Sequence, residues 1–275
     1  MKRILTVQDI SCLGKCSLTV ALPIISAMGI EAAVIPTAVL STHTQFSRFT
    51  FRDLTEDIKP ILDHWKEEKV EYDALYTGYL GSGEQIDLMK GMFRDFGDGV
   101  LKFVDPAMGD NGKLYSGFDM DFAKEMGTLC AKADVIVPNM TEAAFMLGVK
   151  YEEKVNAHYC LDMINELRGL GAKSVVITGV SLEEGKLGVI GYDDKLKSTF
   201  SYFTEEVRAR FHGTGDIYSS VCLGGLVAGK SLPEASALAA DFTALSIQKT
   251  LEDEKGNWYG VNFEQAIPML VDRLK

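Results

Sequence analysis

Short apolar runs alternate along this chain with longer stretches whose apolar positions recur every three or four residues. The short runs are Ile4–Val7, Ala33–Val39, Ala74–Thr77, Leu101–Val104, Val135–Val137 and Ser174–Thr178. Each has the length of a buried parallel strand and lacks the polar alternation of a strand with one wet face. Helical spacing marks the stretches between them: Leu54–Lys69, Glu84–Arg94, Phe122–Lys132, Thr141–Leu147 and Asn156–Leu170. This order predicts an α/β fold, a mostly parallel central sheet with helices on both faces. Near residue 186 the rhythm changes. Leu187–Gly191, a polar Tyr192-Asp193-Asp194-Lys195 and Leu196–Phe203 read as an antiparallel hairpin. Helices then dominate, at Gly215–Val227, Leu232–Lys249 and Phe263–Leu274, with Pro233 in the first turn of its helix. No repeat, low-complexity run or linker interrupts the pattern, so residues 1–275 are expected to form one domain.

Composition narrows the function classes. With 47% hydrophobic and 24% charged residues in 275, the chain can bury a sizeable core. Its 28 basic and 39 acidic residues give a net charge of -11, which is not the footprint of a nucleic-acid binder. A phosphorylated ligand remains compatible, because backbone dipoles can hold an anion inside an acidic protein. The first apolar stretch is too short for a secretory leader and is interrupted by Gln8-Asp9, and no segment is long enough to span a membrane. A cytoplasmic location is the expectation. The five cysteines, Cys12, Cys16, Cys130, Cys160 and Cys222, are scattered and odd in number, and read as buried free thiols. No Cys/His pair at zinc spacing accompanies Cys12 and Cys16.

In a parallel sheet, ligands bind beyond the carboxyl ends of the strands. The segments to inspect are therefore Gln8–Gly14, Ser41–Gln45, Gly78–Gly83, Asp105–Asp110, Asn139–Glu142 and Phe211–Asp216. The sharpest is His212-Gly213-Thr214-Gly215-Asp216, which opens a helix. Its glycines let backbone N–H groups converge on an anion at a helix N-terminus, and Asp216 is placed to accept a proton from a hydroxyl. The same five residues also suit a glycine-rich turn with Asp216 capping the helix. Asp105-Pro106-Ala107-Met108-Gly109-Asp110 follows a strand, where an acid can reach a metal-bound phosphate or simply make a turn. In Pro138-Asn139-Met140-Thr141-Glu142, Asn139 and Glu142 form a capping box, and the same carboxylate suits hydrated magnesium. Tyr79 in Thr77-Gly78-Tyr79-Leu80-Gly81-Ser82 can lie on a flat ring or merely pack. Ser41-Thr42-His43-Thr44-Gln45 is a polar cluster after a buried strand, open to ordinary loop chemistry. Gly224–Ser231 matches the P-loop pattern letter by letter, but it follows a helix instead of a strand. Gly229 reads instead as a helix stop, and Ser231-Leu232-Pro233-Glu234 as the start of the next helix.

Taken in order and spacing, these segments resemble the ribokinase superfamily, and within it the pyridoxal kinases. The resemblance rests on Val7-Gln8, Ser41–Gln45, Thr77–Ser82, Asp105–Asp110, Pro138–Glu142 and Gly213–Asp216. It implies a ribokinase-like three-layer α/β/α sandwich that uses ATP and Mg2+ to phosphorylate the 5′-hydroxymethyl group of a vitamin B6 vitamer. It also implies roles. Asp216 would be the base, and the amides of Gly213, Thr214 and Gly215 an anion hole. Asp105 and Glu142 would serve the metal. Asp105, Asp110, Asn139 and Thr178 would lie at the nucleotide. Asp9, His43, Thr44 and Tyr79 would line the vitamin pocket. Members are usually homodimers. Such kinases read Gln-Ser-His after the first strand, where this chain has Gln8-Asp9-Ile10. An ionised Asp9 can only accept a hydrogen bond, so its partner would be a protonated ring nitrogen or an amine. Alternatively it caps the turn into Ser11–Ser17. Hydroxymethylpyrimidine (phosphate) kinases of the same superfamily are the competing enzyme, and they often carry a cysteine where this chain has Arg210-Phe211-His212. A non-catalytic ligand-binding protein on this fold is the competing class.

Overall fold

The computed structural model describes residues 1–207, 209 and 211–274. Arg210, in the segment before the Gly-Thr-Gly-Asp motif, lies outside them. The elements in order are β1 (Arg3–Ser11), α1 (Leu18–Ala27), β2 (Glu31–Leu40), β3 (Phe51–Asp53), α2 (Thr55–Glu67), β4 (Ala74–Thr77) and α3 (Gly83–Phe96). Then come β5 (Leu101–Val104), β6 (Gly109–Asp110), β7 (Lys113–Leu114), α4 (Met120–Cys130), β8 (Val135–Ile136), α5 (Met140–Leu147) and α6 (Ala157–Leu170). β9 (Ser174–Val180), β10 (Lys186–Asp193), β11 (Ser198–Glu205), α7 (Thr214–Val227), α8 (Leu232–Glu252) and α9 (Ile267–Arg273) complete the chain.

Among the described residues, nine strands form one sheet in the order β11-β10-β9-β8-β5-β4-β1-β2-β3. The six from β9 to β2 run parallel. β10 and β11 add the expected antiparallel hairpin at one edge, and β3 pairs antiparallel to β2 at the other. The strands alternate between two apolar layers. Leu5, Val7, Leu75, Val104, Ile136 and Ile177 pack on one side with α2 to α6, while Ile4, Tyr76, Phe103, Val135 and Val176 pack on the other with α1, α7, α8 and α9. The three-layer sandwich follows, because strands covered on both faces are largely apolar on both sides.

Several elements depart from the sequence expectation. α1 is a helix that the pattern did not reveal. Its Leu18–Ile25 run is apolar all round and contains Pro23, so periodicity cannot separate it from a buried strand. The carboxy-terminal helix is broken: a 3-10 turn at Phe263–Gln265 precedes α9, which has a proline in its first turn. β1 runs on to Ser11, so Asp9 lies within the strand and not after it. The hairpin turn falls one to two residues later than expected, with Lys197 at φ 53°. Cys12 is exposed, while the other four cysteines are buried, and all five are free. The P-loop look-alike spans the end of α7, Gly229 at φ 96° and the capping box of Ser231 and Glu234.

A buried glutamine fastens three elements beside the crevice. Gln85 on α3 accepts from Gly81 N at 2.7 Å and donates to the Thr37 carbonyl on β2 at 3.2 Å and to Thr55 Oγ1 on α2 at 2.8 Å. It is fully buried, so leucine there would strand three polar groups. We expect Gln85→Leu to lower the unfolding free energy by roughly 2–4 kcal/mol in urea titrations, with the m-value unchanged. A loss under about 0.5 kcal/mol would show the knot to be dispensable.

Candidate active site

Because the six central strands are parallel, the segments after them emerge along one edge of the sheet. β1 has β2 on one side and β4 on the other, so the connections leave it in opposite directions. A crevice opens at such a switch point.

α7 supplies the first component. Its N-cap is Gly213, at φ 79° and without a side chain to cap the helix. A Cβ there would run into the Lys15 carbonyl oxygen, so only glycine lets α7 approach the β1–α1 loop. The first N–H groups of the helix, at Thr214, Gly215 and Asp216, have no intrahelical acceptor and are available to an anion. Asp216 does not cap α7, because it lies inside the first turn. Its carboxyl is pushed up to about 8, first by burial and then by the charge of Asp105. The Ser17 backbone N–H pulls it back down. Ser17 is the N-cap of α1, held at φ 51° and ψ -131° with no bond from its hydroxyl to its own helix. That conformation is rare for a residue with a Cβ and marks a strained point beside Asp216.

The acids after β5 and β8 form the second component. Asp105 is 6% exposed, and its Oδ2 accepts from Ser219 Oγ on α7 at 2.6 Å. Burial raises its carboxyl to about 6, while Ser219 lowers it. Glu142 is 3% exposed and completes the predicted capping box. Its Oε2 accepts from Asn139 N at 2.8 Å, and its Oε1 from Met108 N at 3.2 Å, which ties the loop after β5 to α5. Burial and Asp105 push its carboxyl upward. The capping role and the buried acid therefore coexist in one side chain. Asn139 Nδ2 donates to Gly109 O at 2.8 Å, and Thr178 N donates to Pro138 O at 2.9 Å, which places both at the same junction. Asp110 sits apart from them on the β6–β7 hairpin. It is exposed, with its oxygens taken by Asn111.

The third component lies at the ends of β1, β2 and β4. Asp9 is 5% exposed, and its Oδ2 accepts from Ser11 Oγ at 2.9 Å. Burial pushes its carboxyl up, while Ser17, Ser11 and His43 oppose that shift. Its hydroxyl partners, Ser11 and Ser17, belong to the turn into α1 that the sequence offered as its alternative role. His43 is buried, with both ring nitrogens occupied: Nδ1 accepts from Gln45 N at 3.2 Å, and Nε2 lies 2.9 Å from the Tyr259 carbonyl. Those partners require the Nε2–H tautomer and leave the ring only its faces. One face meets His212, with centroids 4.7 Å apart. Tyr79 is half-buried, 5.6 Å from the Phe118 ring, and its phenol is pushed up to about 12 by burial, Asp9 and Asp53. Thr44 is exposed on the same turn as His43.

Sequence reading missed Ser17, Ser219 and the Tyr259–Asn262 strip, which holds His43 and, through Asn262 Oδ1, Lys15 Nζ at 3.0 Å. Ser219 was discoverable, because it lies three residues after Asp216 on one helix face. Neither Ser17 nor the strip carries a local signal. Among the described residues, no three His, Cys, Asp or Glu side chains converge as a metal cage, and no salt bridge reaches Asp9, Asp105, Glu142 or Asp216. A buried acid pair with oxygen donors fits a hard, hydrated divalent cation better than a fully protein-bound one. Base, anion-binding helix end and acid pair together suit phosphoryl transfer to a hydroxyl.

Comparison with known proteins follows the same line. The family model described as phosphomethylpyrimidine kinase matches residues 21–260. A pyridoxal kinase of Rubrobacter xylanophilus is 28% identical over 263 residues, covering 90% of this chain and 87% of its own. A Bacteroides thetaiotaomicron protein, provisionally named a phosphomethylpyrimidine kinase and crystallised with pyridoxal, superposes with a TM-score of 0.93 at 39% identity over 98% of this chain and 95% of its own. The pyridoxal kinase of Lactobacillus plantarum superposes with a TM-score of 0.91 at 28% identity, covering 99% and 98%.

The raised carboxyl of Asp216 has a thermodynamic consequence. Its folded value, about 8, lies above the ordinary carboxylate range, so the folded state holds a proton that the unfolded chain has released. The stabilisation is complete below the unfolded value and is lost as pH rises through about 8. We expect the Tm to fall between about pH 5 and about pH 9, and Asp216→Asn to flatten that slope. Equal slopes in differential scanning calorimetry would place Asp216 in the ordinary range.

Proposed function

The chain belongs to the phosphomethylpyrimidine kinase family, and from that premise we propose that it phosphorylates the 5′-hydroxymethyl group of a vitamin B6 vitamer with ATP. The observation that carries this reading is Asp216, a carboxyl raised to about 8 in the first turn of an uncapped helix. The relatives named pyridoxal kinase, and the similar protein crystallised with pyridoxal, supply the substrate class. The reading takes residues 1–275 as one kinase domain. It carries with it a homodimer, as the resemblance implied, and the cytoplasmic location expected from the sequence.

In this mechanism the acceptor lies against the His43 and Tyr79 rings, with its hydroxymethyl group toward Asp216. Ionised Asp216 takes the hydroxyl proton as the oxygen attacks the terminal phosphorus of ATP, and the bond from that phosphorus to the bridging oxygen breaks to release ADP. The amides at the start of α7, in the Gly213–Gly215 segment, face the charge that spreads over the transferred group, where the helix dipole favours it. Asp105 and Glu142 would hold Mg2+ through water, and that ion would screen the nucleotide phosphates. Asn139 and Thr178 border the nucleotide side, with the exposed Asp110 at its rim. Asp9 accepts from a protonated ring nitrogen or an amine at the inner end of the acceptor pocket.

The family description favours a second reading, hydroxymethylpyrimidine or its phosphate as the acceptor. A panel of pyridoxal, pyridoxamine, pyridoxine, hydroxymethylpyrimidine and ribose with ATP and Mg2+ separates the two. We expect turnover on the vitamers and a kcat at least ~100-fold lower for Asp216→Asn, with ATP affinity little changed. Turnover on hydroxymethylpyrimidine alone would overturn the acceptor assignment, and a near-normal kcat in the variant would remove Asp216 from proton transfer.

Asp9 sets vitamer preference in this reading. We expect Asp9→Ser and Asp9→Asn to lower the ratio of kcat/KM for pyridoxamine over pyridoxal, because a lost carboxylate penalises the cationic acceptor. The same ratio in all three proteins across a pH series would show that Asp9 does not read the substrate.

A further inference from the structure

α7 presents Asp216, Ser219 and Ser220 on one face, since positions three and four apart on a helix are neighbours. Ser219 is 1% exposed and Ser220 fully buried. A serine buried inside a helix ordinarily satisfies its hydroxyl one turn back, at the carbonyl four residues earlier. The neighbouring helix does this three times: Thr243 Oγ1 donates to Ala239 O at 2.8 Å, Ser246 Oγ to Phe242 O at 2.7 Å and Thr250 Oγ1 to Ser246 O at 2.8 Å. Ser219 breaks the pattern. Its hydroxyl leaves its own helix and donates 2.6 Å across to Asp105 Oδ2, at the end of β5. Behind this bond lie two further buried hydroxyls, Tyr76 OH on β4 and Ser220 Oγ, which sit beside each other, with Tyr76 also beside Ser219 and Asp105. The carboxylate therefore has competing donors toward which it could turn.

We propose that Ser219 is a positioning residue that holds Asp105 in the orientation the reaction needs. One helix then carries both the base and the clamp on the acid opposite it. A short hydrogen bond to an ionised acceptor is directional, so Oδ2 is committed to α7 and Oδ1 alone is left for the site. Without the clamp, Asp105 can rotate toward Tyr76 and Ser220 and away from the nucleotide side. The bond also fixes the distance between Asp105 and Asp216, because both are registered to the same turns of α7. The proposal rests on the reading of Asp105 as the acid that serves the nucleotide and its cation, and it adds the residue that aims it.

The experiment is a kinetic cycle of Ser219→Ala, Ser219→Thr, Asp105→Ala and the double variant Ser219→Ala/Asp105→Ala. It uses the intact enzyme and whichever acceptor of the panel the wild type phosphorylates. We expect Ser219→Ala to reduce kcat by about 10-fold and to raise the Mg2+ concentration for half-maximal rate, with the acceptor KM within about 2-fold. Ser219→Thr keeps the hydroxyl and should restore kcat. In the Asp105→Ala background the serine has nothing to aim, so its removal should change turnover by less than about 2-fold. Three results each overturn the proposal: an equal loss in both backgrounds, no rescue by threonine, or wild-type turnover of Ser219→Ala. If Ser219→Ala loses thermal stability and turnover together and raises the acceptor KM as well, the serine is only a structural donor, and the proposal fails. A wild type indifferent to Mg2+ would remove the cation from the reaction, while the cycle on kcat still reads the link between Ser219 and Asp105.

Discussion

The close approach of α7 to the β1–α1 loop is the contact on which the site depends. Gly213 lies against the Lys15 carbonyl with no room for a side chain, and Gly260 closes on the same lysine from the other side. Lys15 itself is tied through Nζ to Asn262 and Glu264 at 3.0 Å each. So wedged, the loop can hold Ser17 at a backbone geometry that it would otherwise relax, because strain persists only where surrounding contacts over-determine it. Through that contact the Ser17 N–H meets the Asp216 carboxyl on α7, and the position of Asp216 becomes a property of two helices and not of one turn.

Electrostatics add a second constraint. Asp9, Asp105, Glu142 and Asp216 are all pushed above the ordinary carboxylate range, with burial as the leading cause at every one. Packing acids together costs stability in the empty protein and favours whatever brings positive charge or donated protons. The charges are placed in order along the sheet edge: one acid near the end of β1, one at the start of α7, and two toward the junction of β5 and β8. Each is restrained by hydroxyls or backbone N–H groups, so their separation is set before any ligand arrives. Preorganisation of this kind lets a site stabilise developing charge without rearranging.

Much of this was legible in the chain itself. Strands such as Ala74–Thr77 and Leu101–Val104 are short and largely apolar because both faces of the sheet are covered, and their positions follow from that run of residues. Asn139 and Glu142 at capping spacing, Ser231 with Glu234, and Gly213 before a helix are local rules of backbone chemistry, and the structure obeys them. Belonging to the right junctions, Asp9, Asp105, Glu142 and Asp216 could be named before any coordinates were known. α1 could not, because a run that is apolar all round carries no period.

What only the tertiary structure decided is which groups meet. That Asp216 does not cap α7 turned on Gly213 being the cap, which depends on a carbonyl about two hundred residues away in sequence. Both ring nitrogens of His43 are occupied, one by the Tyr259 carbonyl and one by the Gln45 amide. The Ser219 hydroxyl meets Asp105 2.6 Å away, on a different element. Local spacing determines strands, helices and caps because those interactions reach only a few residues. The proton affinity of an acid and the direction of a hydroxyl depend on burial and on partners that the sheet brings together, and no stretch of sequence contains them.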